Sequence, residues 1–372
     1  MSYACRACRG KAGAVVLDLG DQPACDYFPR RGDPPPDPVY PLRMWLCARC
    51  GLAQLVEDPT MPEEPRGTEP AALVAQAADA VGRIAAAGLL PAGRRVAEYG
   101  SPHGGSWLEL LSDRGLTVAA PDEPAEVVVD CFGLMHGADQ AAALAERAAR
   151  VAPGGVLLLQ YHSLSTIVAC RQWNALRHGH YAYYSTSALT QMLAACSFSP
   201  RTAWEFELYG GTVLLAAQRD GEGRDGPDAT VTSLLARDEQ AGVSDPAALA
   251  GLRASVQGTA DWLHDWLASR RSAGQPVLGY GAASRAISLL RTARADATLL
   301  PAVVDSSPAK QGLRIPGTDI PIASPAELTR RQPVQVVLFV DDLLPEVRRA
   351  FPEVEAAGGQ WVTVQAPDPA LG

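Results

Sequence analysis

Two cysteine pairs, Cys5-Arg-Ala-Cys8 and Cys47-Ala-Arg-Cys50, constrain the fold of this chain more than any other feature. Each pair offers two thiolates at the spacing one metal ion accepts. Together they make the four-cysteine tetrahedral set of a structural zinc site. Such a site is closed. It leaves no coordination position for substrate, so the metal holds a fold and does no chemistry. The 38 residues between Cys8 and Cys47 exceed the usual zinc-ribbon loop. Closing a longer loop costs only logarithmically more, so the spacing is permitted. Four unlinked thiols or two disulfides are the alternatives. The paired spacing argues against both, and so does an opening segment, Met1-Ser-Tyr-Ala-Cys5, that lacks secretory character. The expectation is a cytoplasmic protein. Cys25, Cys131, Cys170 and Cys196 have no ligand spacing and read as small core residues.

The 372 residues predict two or three domains, and an apolar content of 47% is enough to build real cores. The net charge of −9 argues against a nucleic-acid partner. No apolar run is long enough for a membrane span.

Residues 1–64 read as a loop-rich, metal-stapled module with too little core to fold without its metal. Residues 65–218 read as an α/β domain. A helix is expected over 71–90. Strands are expected over 95–99, 116–120, 126–130 and 156–160, with a helix over 141–150. Residues 219–272 read as a polar linker followed by one or two long helices. Residues 273–372 form a second α/β domain, with strands over 275–279, 300–305 and 335–340. Strand–helix–strand alternation in both halves predicts parallel sheets covered on both faces.

Three places carry candidate chemistry. Glu98-x-Gly100-x-x-x-Gly104 ends a strand in an acid and turns through glycines into a helix, which lets a nucleotide-like ligand approach the backbone. An ordinary α/β turn of the same composition is the alternative. His178-Gly179-His180 precedes Tyr181, Tyr183 and Tyr184. In extended chain His178 and His180 share one face and Tyr183 takes the other. A neutral imidazole is a good base near pH 7; a solvated surface loop is the alternative. Gly279-x-Gly281, with Asp305 at the end of the next strand, is similar to a dinucleotide-binding turn with its ribose acid. The third glycine is missing, and Arg285 sits near its place, where it suits a diphosphate. A structural turn is again the alternative.

Taken together these segments resemble the zinc-containing nucleotide-sugar C-methyltransferases of antibiotic deoxysugar pathways. The N-terminal module carries the resemblance through both cysteine pairs, Val16-Leu-Asp-Leu-Gly20-Asp-Gln-Pro23 and Gly51-Leu-Ala-Gln-Leu55. The central domain carries it through Glu98-x-Gly100-Ser101-x-x-Gly104 and His178-x-His180-x-x-Tyr183-x-Ser185. The C-terminal domain carries it through Gly279-Tyr-Gly-Ala282, Val304-Asp-Ser-Ser-Pro308-Ala-Lys310-Gln-Gly312 and Ile320-Pro-Ile322. The resemblance implies a zinc module, a central methyltransferase-like Rossmann sheet and a C-terminal Rossmann-like α/β domain. It implies a dTDP-linked keto-deoxysugar as substrate and S-adenosylmethionine as methyl donor. His180 matches the family's base, with His178 and Tyr183 beside the sugar. Glu98, Gly100, Gly104 and Glu123 fall at the methyl donor. Gly281, Arg285, Asp305 and Lys310 fall at the sugar nucleotide.

The departures from the pattern bear on function. Pro102 and His103 replace the family's polar pair after the first strand. Arg177-His178-Gly179-His180 stands where the family has Tyr-His-Glu-His. Pro62–Thr68 replaces a tyrosine-rich loop. Only 32 residues separate Glu98 from Asp130. A βαβ crossover alone takes about 10–12 residues, so one βα unit, the family's third strand with its helix, is expected to be missing. Three functions remain open: C-methylation with S-adenosylmethionine, a cofactor-free epimerase or isomerase using the same base, and a non-catalytic partner of another sugar enzyme.

Overall fold

A computed structural model describes residues 3–33, 36–60, 69–101, 104–221 and 226–364. Pro102, His103 and the Pro62–Thr68 replacement lie outside these residues. Three sheets organise the chain.

The first sheet is antiparallel and replaces the expected loops of the metal module. Its strands Gly13–Pro23, Val39–Cys47 and Ala53–Leu55 lie in that order. Two register shifts, between Val15 and Leu17 and between Asp18 and Asp21, break the period-two pattern that would have announced the first strand. A fourth strand, Ala182–Tyr183, comes from the central domain and pairs with Ala53 and Gln54. The boundary at residue 64 is therefore crossed by a sheet.

The central sheet has the order Thr117–Val118, Arg95–Gly100, Ala125–Cys131, Val151–His162, Thr212–Arg219, Phe198–Phe206. The first four strands are parallel; Thr212–Arg219 runs antiparallel to both its neighbours. Its middle strands are continuous apolar runs such as Val127-Val128-Val129 and Val156-Leu157-Leu158-Leu159, all buried, as strands covered on both faces must be. Thr117–Val118 is the outermost strand on its side. Among the described residues nothing helical or stranded lies between Val118 and Ala125. The expected loss of a βα unit is visible here.

The third sheet is wholly parallel, in the order Ile322–Ala323, Val303–Val304, Val277–Tyr280, Gln335–Leu338, Gln360–Thr363. The segment 300–305 contributes only two paired residues, because Pro301 withholds an amide. Between the two α/β domains run the helices Ala229–Ala241 and Pro246–Ser272. Asp245 caps the second, accepting from the Ala247 amide at 2.9 Å, and Pro246 takes the first helical position. Leu249, Leu252, Leu263 and Leu267 of this helix share one core with Val16 and Leu17 of the metal module and with Ile287 and Leu290 of the C-terminal domain. The outer modules thus pack as one body. Of the four cysteines outside the pairs, Cys25 and Cys131 are buried; Cys196 is half-buried and Cys170 exposed, so the latter two are not core residues.

A buried ion pair ties the ends together. Both guanidinium nitrogens of Arg314 reach the Asp37 carboxylate at 2.6 Å, with side chains only 6% and 7% exposed. The Gly317 amide donates to the same carboxylate at 2.6 Å. Burial alone would raise the Asp37 pKa, but Arg314 and Gly317 outweigh it and hold it below the usual value. Removing one partner strands the other charge. Arg314→Ala is expected to destabilise the protein by about 3–5 kcal/mol, read as a lower melting temperature. An unchanged melting temperature would show that the outer modules do not depend on this pair.

Candidate functional site

Sequence fixes the metal site locally. In each knuckle the residue four positions on donates its amide to the first cysteine's carbonyl: Arg9 to Cys5 and Gly51 to Cys47, both at 3.0 Å. Arg9 and Gly51 both take positive φ, 62° and 68°. The turn aims two sulfurs inward. Cys5 Sγ lies 3.5 Å from Cys50 Sγ, and Cys8 Sγ lies 3.6 Å from Cys47 Sγ. All four sulfurs fall within 4.8 Å of one another. Tetrahedral Zn–S bonds of about 2.3 Å place sulfurs about 3.8 Å apart. The four residues fit zinc, and they offer it no open position.

The other sequence candidates part company. Gly179 has a φ of 81°, so the His178–His180 segment is not extended and the shared face does not form. His178 turns inward, is 1% exposed, and donates from Nε2 to the Pro41 carbonyl of the metal module at 3.3 Å. Burial lowers its pKa. It holds the loop to the module and does not face a cleft. Tyr183 is also buried. Its hydroxyl accepts from the Arg177 amide at 2.9 Å, so it braces the loop backbone. His180 alone of the three is half-exposed.

His180 stands at the carboxyl edge of the central sheet, where ligands of open α/β sheets bind. Its ring centroid lies 4.8 Å from that of His136, edge to face. His136 follows the strand Ala125–Cys131 in the turn Leu134–His136. That turn is held by buried Asp130, which accepts from the Leu134 amide at 2.9 Å, and by Gln140, which donates to the Leu134 and Gly137 carbonyls. His136 Nδ1 lies 2.9 Å from the Gly179 carbonyl. A carbonyl only accepts, so this nitrogen carries the ring proton. Next along the edge is His162, at the end of Val151–His162. Its ring stacks on Phe132 at 4.7 Å and meets Tyr209 edge-on at 5.3 Å. Burial, and then the charges of Arg285, Arg177 and His136, hold its pKa far below the usual imidazole value. The Arg285 guanidinium lies 6.0 Å from the Tyr209 ring, and Arg177 contacts the Ser284 hydroxyl.

Arg285 also lines a cleft of about 440 Å³ between the two α/β domains, with Asn174, Gln172, Asp341 and Asp342. Its size is that of a small-molecule site. Sequence reasoning named His180 and Arg285 as site residues and missed His136 and His162. The one available signal was position: each follows or precedes a strand at the same edge.

The remaining candidates serve their own backbone. Asp305 accepts from the amides of Ala282 and Ser307, both at 2.8 Å. Lys310 is buried, donates to the Ala282 carbonyl at 3.1 Å, and covers the Phe28 ring at 4.8 Å. Gly281 donates to the Val304 carbonyl. These residues lock the turn and leave Arg285 as the group of the four that reaches the cleft.

The expected methyl-donor residues are engaged as well. Glu98 accepts from the Trp107 amide and the Ser106 hydroxyl, each at 2.6 Å, and so closes its own glycine turn. Gly100 and Gly104 lie in that turn, where Ser101 and Gly104 form a bridge. Glu123 does not stand at the carboxyl edge. It pairs with Arg95, the first residue of its strand, and accepts from the Ala120 amide. Arg95 and Gly100 are about 17 Å apart along that strand, so Glu123 is at the opposite edge. Thr117–Val118 pairs only with Arg95 and Val96 before the chain turns back. Glu123 is therefore not delivered to the carboxyl edge.

Fold and site define a zinc-stapled protein of two α/β domains with a histidine cluster at the carboxyl edge of the central sheet. Known families agree with that outline. Residues 5–64 match a family model described as "Putative zinc binding domain", and residues 207–365 match one described as "C-methyltransferase C-terminal domain". The C-methyltransferase NovU of Streptomyces niveus is 22% identical over 224 residues, 59% of this chain and 52% of that protein. The chain thus spans about half the length of the relative it matches. Among solved structures, magnesium protoporphyrin IX methyltransferase of Synechocystis PCC 6803 is 14% identical, covering 42% of this chain and 90% of that one, with a TM-score of 0.31. The N-methyltransferase NodS of Bradyrhizobium japonicum WM9 is 14% identical, covering 40% and 87%, with the same score. The two ends of this chain thus match a zinc-binding domain and a C-methyltransferase C-terminal domain.

The metal site carries a direct expectation. Cys47→Ser is expected to lose zinc and to lower the melting temperature by about 10 °C, several kcal/mol at this domain size. Metal analysis and thermal unfolding check it; full zinc with unchanged melting would contradict the four-cysteine site.

Proposed function

We propose that this chain acts on a nucleotide-linked keto-deoxysugar, a dTDP-sugar first among them, and that it begins by removing the proton beside the ketone. The observation that carries the reading is the imidazole pair His136–His180 at the sheet's carboxyl edge, beside His162, which feels the charges of Arg285 and Arg177. A neutral imidazole takes a carbon-bound proton only if the charge left on the ketone oxygen is stabilised. The guanidinium groups of Arg285 and Arg177, which act on neighbouring His162, suit that task. His180 is the base in this reading. His136, its ring proton fixed toward Gly179, orients it and is the second proton carrier. His178 and Tyr183 shape the loop from behind. A reducing, cytoplasmic setting suits the zinc-thiolate module.

The C-terminal match and the C-methyltransferase relative bring carbon methylation into the reading. Methylation with S-adenosylmethionine and cofactor-free epimerisation or isomerisation share this first step. A non-catalytic partner of another sugar enzyme would have no use for the imidazole pair.

The test is hydrogen exchange at carbon. With dTDP-4-keto-6-deoxyglucose in D₂O, the zinc-loaded protein is expected to place deuterium beside the ketone, seen by proton NMR. His180→Ala is expected to slow this about 100-fold or more with zinc content and melting temperature unchanged. Equal exchange by the variant would remove His180 as the base. Arg285→Ala is expected to weaken dTDP-sugar binding about tenfold, the order expected for a lost charged hydrogen bond; unchanged affinity would take Arg285 out of the substrate site.

A further inference from the structure

The carboxyl edge of the central sheet has a topological switch point. From Arg95–Gly100 the chain moves outward to Thr117–Val118, then returns to pair Ala125–Cys131 on the other side. In open α/β sheets the ligand crevice lies between such diverging strands. Here the two strand ends are drawn together: Gly100 and Phe132 form an antiparallel bridge. The approach is so close that a Cβ on Gly133 would lie 2.9 Å from the Gly100 carbonyl oxygen and 3.1 Å from that of Tyr99. Phe132 takes a φ of 61°, a conformation side-chain-bearing residues seldom adopt. Its ring then stacks on His162 and meets Tyr209 at 6.2 Å. An aromatic cluster therefore stands next to the crevice, at the ends of Ala125–Cys131 and Val151–His162.

The flank beside the crevice is no better suited. Thr117–Val118 stops level with Val96, so no strand covers the outer side of Glu98–Gly100. The exposed flank holds a cleft of about 270 Å³ bordered by Glu98, Tyr99, Ala119, Glu146 and Arg150. Ligand pockets run from about 300 to 1,000 Å³, and the loop that would form an adenine wall after a third strand is absent among the described residues. Glu98 is spent on its own turn, and Glu123 is at the wrong edge.

From the absence of a third strand and its loop among the described residues, and from Glu123 at the opposite edge, we infer that the enzyme enolises its keto-sugar without S-adenosylmethionine and returns a proton to the carbon, acting as an epimerase or isomerase. The inference rests on the proposed enolising function and adds the fate of the enolate. The chemistry balances with no co-reactant. The C–H bond beside the ketone breaks, its proton passes to an imidazole, and its electron pair forms the C=C bond of the enolate. The ketone is restored when a proton returns to that carbon. If the proton comes from the same face the sugar is merely exchanged; from the other face it is epimerised.

Two measurements on the zinc-loaded full chain decide the matter. The first is calorimetric titration with S-adenosylmethionine and with S-adenosylhomocysteine. Neither is expected to bind with a Kd below about 1 mM, an affinity of roughly 4 kcal/mol. Micromolar binding of either overturns the inference. The second is incubation with dTDP-4-keto-6-deoxyglucose in D₂O, with and without methyl-labelled S-adenosylmethionine. Deuterium incorporation at the same rate in both mixtures, with no label on the sugar, is the expected result. A labelled methyl group on the sugar overturns the inference and leaves the enolising function standing. No incorporation in either mixture instead sinks the enolising function, and the calorimetry still judges the cofactor.

Discussion

One short strand pairing carries the functional architecture. Ala53–Leu55 leaves the second zinc knuckle and pairs with Ala182–Tyr183, the segment that follows His180. The Leu55 amide donates to the Tyr181 carbonyl at 3.1 Å, and the Tyr181 amide donates to the Met135 carbonyl at 2.7 Å. The His180 loop is thereby fixed between the metal module on one side and the His136 turn on the other. Its remaining supports come from the same direction: His178 on Pro41, and Asp58 accepting from the Gly179 amide. A three-residue strand has little stability of its own. It holds because the cysteines fix its leading turn and because Ala53, Gln54 and Leu55 are all buried. A zinc site with no open position thus bears on the proposed chemistry by fixing the loop that carries His180.

The outer strand of the central sheet is short, and Gly100 lies against Phe132, whose ring turns toward His162 and Tyr209. The same edge gathers His136, His162 and His180, with Arg285 and Arg177 acting on His162. Asp342, accepting from the Gly210 amide at 3.1 Å, and Glu346, accepting from the Ala71 and Ala72 amides, hold the C-terminal domain in place over the edge. Charge, aromatic surface and proton carriers are concentrated along that edge, as the proposed sugar-nucleotide substrate requires.

The parts legible in the sequence were those whose cause is local. Cysteines three apart make knuckles wherever they occur, and the shortfall between Glu98 and Asp130 forced a missing unit. Buried strands such as Val156–Leu159 announced themselves by composition. The misreadings share a different cause. Glu123 follows a strand, as a ribose acid should, but sequence does not reveal that the strand ends level with Val96. Asp305 and Lys310 carry ligand-like charges, yet their turn's own amides and carbonyl needed partners first. His178 and His180 share a spacing but not a face, because Gly179 adopts a left-handed conformation. His136 and His162 lie far from any motif, and only the convergence of strand ends brings them together.

The most direct test of this account is imidazole NMR of the zinc-loaded protein with selectively labelled histidine. Adding dTDP-4-keto-6-deoxyglucose should move the signals of His136 and His180 together and leave buried His178 and the helix residue His264 unchanged. If only His264 responds, or no histidine responds while the sugar nucleotide binds, the substrate site is elsewhere and the account is wrong.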